Sequence, residues 1–326
     1  WKPKRTIILG SWDAEEEGLV GSTEWAEQHE GELAHAVAYF NMDVGVAGPK
    51  FGASSVPSLK QFVRDVTRAV PAAKSGVSVY EAWQKSSRGS DESKDASDTF
   101  RPPNARSSDV SVGDLGSGSD YTAFLQHLGV PSTDIGSTGD YGVYHSVFDN
   151  FAWFKKFADP DFAYEQQMAR IYGLEAIRMA DADVLPYDYE TYGKEIVTYI
   201  QAAAKKADSA LGPQKPSFDA ALDAAHRFQR AGGKIFSHQR KLSDPERLNQ
   251  VLREAEAALL VPSGLPNRPW FRHVIYAPGR YTGYAAVVIP GVNEALDKHD
   301  AALTAQQLET LASALDRAAR TLASFH

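Results

Sequence analysis

A chain of 326 residues with 43% hydrophobic content is long enough to bury a sizeable core and to divide into two domains. Its 42 acidic residues against 34 basic ones give a net charge of −8, which argues against nucleic acid as the main partner. No cysteine is present, which excludes disulfides and thiolate chemistry. No apolar stretch approaches the roughly 20 residues of a membrane-spanning helix, and no Asn-x-Ser/Thr acceptor occurs.

Residues 1–5, WKPKR, hold no apolar leader region and pass at once into the β-branched run 6–12, which reads as a buried central strand. A start at that point is expected of a fragment. Gly18 and Gly21 loosen the chain, and Ser22 is placed to cap a helix carrying Trp25 and Leu33. Residues 36–42, AVAYFNM, read as a second strand ending at Asp43, with Gly45 and Gly48 in the loop beyond. From Pro57 onward, Leu59, Phe62, Val63 and Val66 fall at helical spacing. Strand, helix, strand, helix is the order of a sheet covered by helices.

Residues 85–119 are rich in Ser, Asp, Gly and Pro and read as a long, partly mobile loop. A helix through Phe124 and Leu128 follows, then a strand and loop over 130–144 that deliver His145. Helices dominate from about residue 160, and Leu185-Pro186 reads as a hinge. Ile196, Tyr199, Ile200 and Ala203 share one helical face, as do Phe218, Leu222, Ala225 and Phe228. Ser243 with Glu246, and Thr304 with Gln307, have capping-box spacing. Residues 272–291 interrupt the helices with an extended insertion.

The stretch TIILGSWDAEEEG crowds Asp13, Glu15, Glu16 and Glu17 just beyond the first strand run, and Asp43 follows the second. Ligands of α/β sheets bind outside the carboxyl ends of strands, and neighbouring strands lie about 5 Å apart, so Glu16 and Asp43 can meet. Carboxylates that close repel unless a cation lies between them, and Asp, Glu and His together suit zinc. Taken alone, such an acidic run is most often the solvated start of a helix, where acids favour the macrodipole. Asp43 alone is an ordinary strand-end residue, and His145 alone an ordinary loop histidine.

SWDAEEEGLVGSTEW, NMD and YHSVFDN, continued by GLPNRPWFRHVIYAPGRY and IPGVNEALD, resemble glutamate carboxypeptidase II, the transferrin receptor and the wider family of co-catalytic zinc aminopeptidases. The resemblance covers nearly the whole chain. It implies an α/β fold: part of a zinc-peptidase sheet domain over 1–184, then an all-helical dimerisation domain over 185–326. It also implies two zinc ions, with Glu15 as general base, Glu16 as ligand of one zinc, Asp43 as ligand of the other, and His145 sharing the Glu16 ion. Tyr144 matches the tyrosine that stabilises the oxyanion. Glu24 and Glu27 match two acids of a calcium site, or else mark an exposed helix face.

The implied activity is hydrolysis of a terminal peptide bond on a peptide substrate, at the amino or the carboxyl end, by a homodimer built through the helical domain. A non-catalytic dimerising scaffold like the transferrin receptor is the alternative. The family's remaining ligands, a His and a bridging Asp, would lie upstream of Trp1, so an upstream half of the same protein is an expected partner. An extracellular, vacuolar or membrane-anchored setting is implied as well. Substrate contacts fall on Ser119, where relatives have asparagine, and on Tyr284, whose neighbouring lysine is Gly283 here. Arg280 is a candidate replacement for that lysine. The stretch STDIGSTGDYG matches the family's arginine patch and holds no arginine, so the expected substrate side chain is less acidic.

Overall fold

The computed structural model describes residues 1–89, 109–241, 244–280 and 285–325. Two short helices, α1 (Val20–Gln28) and α2 (Glu30–Leu33), precede strand β1 (Tyr39–Met42). After β2 (Lys50–Ser55), a 3-10 turn at Pro57–Leu59 starts α3 (Lys60–Ala69), and α4 (Val79–Gly89) follows. β3 (Ser132–Thr138) is the middle strand of a three-stranded sheet in the order β1-β3-β2, parallel to β1 and antiparallel to β2. Tyr39 pairs with Ser132 and Met42 with Ile135, so Asp43 leaves β1 where β3 is still in the sheet.

A single turn, α5 (Phe151–Trp153), leads to the long α6 (Ala163–Asp181), which covers β1 and β3. Helices α7 (Tyr189–Leu211), α8 (Asp219–Gln239), α9 (Pro245–Ala257), α10 (Pro290–Asp297) and α11 (Ala301–Ala323) complete the chain. Between α9 and α10 lies the antiparallel hairpin β4 (Tyr276–Pro278) and β5 (Ala286–Val288). Leu59, Phe62, Val63 and Val66 are buried, as their spacing predicts, and they join one core that runs on through α7, α8 and α11. Gly193 and Gly232 allow the α7–α8 crossing: a Cβ on Gly193 would lie 2.5 Å from the Gln229 Cα, and one on Gly232 2.4 Å from the Tyr189 carbonyl carbon. Where sheet and helices meet, Lys60 of α3 is buried between Asp114 at 3.0 Å and Glu195 of α7 at 2.7 Å.

Several sequence expectations are corrected. Residues 6–12 form no strand, and Ile8 is 61% and Leu9 84% exposed. Their β-branched character suits burial, but among the described residues no strand runs beside them to complete a ladder. β2 has no counterpart in the sequence pattern, because KFGASS lacks the β-branched signature. The segment expected as loop from residue 85 begins as the end of α4, and Val110, Val112 and Leu115 are buried; residues 90–108 lie outside the described residues.

Ser22 is not a cap. α1 opens on Leu19 in the left-handed region, and the Ser22 hydroxyl donates to the Leu19 carbonyl from inside the helix. α11 is capped by Asp300, whose carboxylate accepts from Leu303 N–H at 2.9 Å, and Thr304 sits a turn later. Asp244 caps α9 through Arg247 N–H, while Ser243 lies outside the described residues. At the expected hinge, Leu185 is buried, its N–H donates to Asn249 of α9, and its carbonyl accepts from Gln239 of α8.

Candidate metal centre

The acidic run folds into a tight turn before α1. Gly18 and Leu19 N–H both donate to the Glu15 carbonyl, Val20 N–H donates to that of Ala14, and Ala14 takes φ +51°. Gly21 packs so closely on Asp13 that a Cβ there would meet the Asp13 carbonyl oxygen at 2.6 Å. The turn leaves Glu16 and Glu17 exposed and Glu15 half-buried. Burial, then the charges of Asp43, Glu16 and Asp120, push the Glu15 carboxyl above its ordinary value, with His145 opposing them. Three segments remote in sequence, besides its own, therefore act on one carboxyl group.

His145 arrives on the loop after β3 with φ +58°, a strained conformation for a non-glycine residue. Its Nε2 lies 3.1 Å from Glu16 Oε1, and the Tyr144 ring stacks on its imidazole at 3.8 Å between centroids. Tyr144 is 59% exposed, with its hydroxyl-bearing ring on the same loop as the histidine. Asp120 is a member of the cluster that the sequence pattern does not single out. Burial pushes its carboxyl up, a hydrogen bond from Ser22 opposes that, and the charge of Asp43 adds to the rise. Its only sequence signal is the glycine-rich GSGSD that delivers it.

The other predicted site residues lie elsewhere. Ser119 is 3% exposed and accepts a hydrogen bond from Asn41 Nδ2 at 2.7 Å, so it faces the interior. Glu24 and Glu27 are on the exposed face of α1, where Glu27 accepts from the Trp270 indole at 2.6 Å. Arg280, just past β4, sits close to the Arg268–Glu294 ion pair. Tyr284 lies outside the described residues.

Carboxylates forced together beside an imidazole make a hard-oxygen and nitrogen donor set of the kind divalent zinc takes. Glu16 and His145 are already paired, and Glu15 is raised first by burial and then by the charges of Asp43 and Glu16 near it. Glu16 and His145 are thus donor types that zinc takes, two of the ligands a site would need. Among the described residues no three His, Asp or Glu side chains are yet spaced to hold a metal ion.

A helix-covered sheet with carboxylates and a histidine gathered from the turn before α1, the end of β1 and the loop after β3, followed by a bundle of helices, is an α/β unit with a helical appendage. The chain belongs to peptidase family M28, whose sequence signature matches residues 1–163; that of the transferrin receptor-like dimerisation domain matches residues 210–323. A probable glutamate carboxypeptidase of Arabidopsis thaliana is 36% identical over 319 residues, which is 96% of this chain and 42% of that protein. One from Arthroderma benhamiae is 35% identical across 100% of this chain and 44% of its own length. The aminopeptidase NAALADL1 of Mus musculus is 32% identical over 99% of this chain and 45% of its own. The chain spans less than half the length of these relatives.

Proposed function

We propose that the whole protein is a zinc-dependent exopeptidase that hydrolyses a terminal peptide bond. The observation that carries this is the convergence of Glu15, Glu16 and Asp43 with His145 from three separate segments. Glu16 and His145 would hold one zinc ion and Asp43 the second, with the remaining ligands supplied from outside this span. Bound zinc would make a water nucleophilic at neutral pH and polarise the scissile carbonyl.

The chain's own residues then have distinct tasks. Glu15, less exposed than Glu16, takes the proton of the attacking water on its carboxylate and returns it to the leaving amine. The Tyr144 hydroxyl donates to the substrate oxygen on which negative charge develops. Substrate preference extends beyond glutamate, because the STDIGST of β3 offers no guanidinium to an acidic side chain. Two copies associate through the helical part, from near residue 185 onward, as the match to a dimerisation domain supports. A calcium ion at Glu24 and Glu27 and a substrate contact at Tyr284 belong to the same proposal. So does a vacuolar or extracellular setting; for the vacuolar one, the name of a yeast relative, vacuolar protein sorting-associated protein 70, gives support at 26% identity.

The test is a terminal-residue release assay on full-length wild type and Glu15→Gln, with zinc content measured in parallel. Glu15→Gln should keep its zinc and lose on the order of 10²–10⁴-fold in kcat. A Glu15→Gln enzyme as active as wild type overturns the assignment.

A further inference from the structure

Beneath the acidic cluster runs a chain of side-chain hydrogen bonds in which none of the proposed metal ligands takes part. The Trp12 indole N–H donates to the Tyr39 hydroxyl at 3.0 Å, and that hydroxyl donates to Asn41 Oδ1 at 3.1 Å. Asn41 Nδ2 donates to Ser119 Oγ at 2.7 Å and to Asp134 Oδ1 at 2.9 Å. The amide orientation is dictated by its partners. A flipped Asn41 would set its carbonyl against the Asp134 carboxylate and leave the Tyr39 hydroxyl facing a second donor. Asn41 is 4% and Ser119 3% exposed, so no water can take over these bonds.

We propose that Asn41 is a positioning residue for the metal-binding cluster and that Ser119 acts through it rather than on substrate. The proposal rests on the zinc-peptidase reading and deepens it. Three members of the chain of bonds stand within three residues, in sequence, of a carboxylate of the cluster. Trp12 immediately precedes the turn that carries Glu15 and Glu16, Asn41 is two residues before Asp43, and Ser119 adjoins Asp120. Like charges gathered there push these three segments apart. Residues 6–12 have no ladder hydrogen bonds among the described residues to resist that push. The Trp12 side chain does the work instead: its indole is bonded to Tyr39 and packed on Trp25 and Phe124, at 5.3 and 5.9 Å between ring centroids. Asn41, with both amide hydrogens and its oxygen engaged, is the node at which the three segments meet.

The test uses full-length wild type, Asn41→Ala, Ser119→Ala and Tyr39→Phe. Zinc affinity is read by chelator competition, kcat and KM from peptide turnover, and folding from the melting of the metal-free form. Outer-layer partners of metal ligands are typically worth 10–100-fold in affinity or activity. Asn41→Ala should lose zinc affinity and kcat by about that factor, with Ser119→Ala and Tyr39→Phe several-fold down and KM unchanged in all three. Should Asn41→Ala not fold, the two milder variants decide. Wild-type zinc affinity in every folded variant overturns the proposal, as does a Ser119→Ala enzyme that changes only KM, which would place Ser119 against substrate. A wild-type protein that binds no zinc overturns the zinc reading itself, a result distinct from zinc binding that the variants leave unmoved.

Discussion

Glu175 offers a sharp test of how charge is handled inside this fold. α6 lays it against the sheet, where it is 0% exposed and neither carboxyl oxygen has a hydrogen-bond partner. Burial, then the neighbouring charge of Asp134, pushes it from 4.5 up to about 8. The unfolded chain releases this proton near pH 4.5, while the folded chain holds it until about pH 8. Stability from this group is therefore intact below pH 4.5 and is lost as pH rises through that window. Each pH unit crossed within the window costs about 1.4 kcal/mol, so the loss between pH 5 and pH 8 is on the order of 3 kcal/mol. Glu175→Met keeps much of the volume and removes the titration. Urea unfolding of both proteins at pH 5 and pH 8 reads the difference. The variant's advantage over wild type should be larger at pH 8 by about 3 kcal/mol. Parallel pH dependence in the two proteins would refute the reasoning.

Three further outcomes follow from packing. Gly232→Ala places a methyl 2.4 Å from the α7 backbone and should cost about 1–3 kcal/mol by urea unfolding; a gain, as helix propensity alone would give, contradicts the close crossing. Lys60→Met strands Asp114 and Glu195 without their buried cation and should cost about 3 kcal/mol, against a loss below about 1 if the pair is energetically idle. Asp300→Ala removes the cap of α11 and should lower stability by about 1 kcal/mol, with an unchanged transition midpoint the contrary result.

What the sequence discloses depends on whether local pattern and tertiary surroundings agree. Leu59, Phe62, Val63 and Val66 repeat at helical spacing and bury that face, so α3 is legible. The run at 6–12 has the composition of a buried strand, but burial needs a neighbour, which composition cannot supply. β2 is invisible for the opposite reason: Gly52, Ala53, Ser54 and Ser55 carry no strand signal, and pairing with β3, with a bridge to Gly113 on the other edge, makes them a strand. At the site, the resemblance marks Glu15, Glu16, Asp43 and His145, and the structure brings Glu16 to His145 and Asp43 toward Glu15. Asn41 cannot be found this way, since its importance lies in three partners from residues 39, 119 and 134. Ser119 is expected to face substrate, yet its small hydroxyl turns inward to that same asparagine.

The central claim is that the carboxylates around Glu15 are held in common with His145 by bound metal. Zinc stoichiometry of purified full-length wild type and His145→Ala, measured by elemental analysis at matched protein concentration, tests it most directly. The account predicts about two zinc ions per wild-type chain and a loss of about one in His145→Ala, with chelators abolishing peptide turnover in wild type. Turnover that proceeds without zinc, or a His145→Ala protein with its full complement, would contradict it.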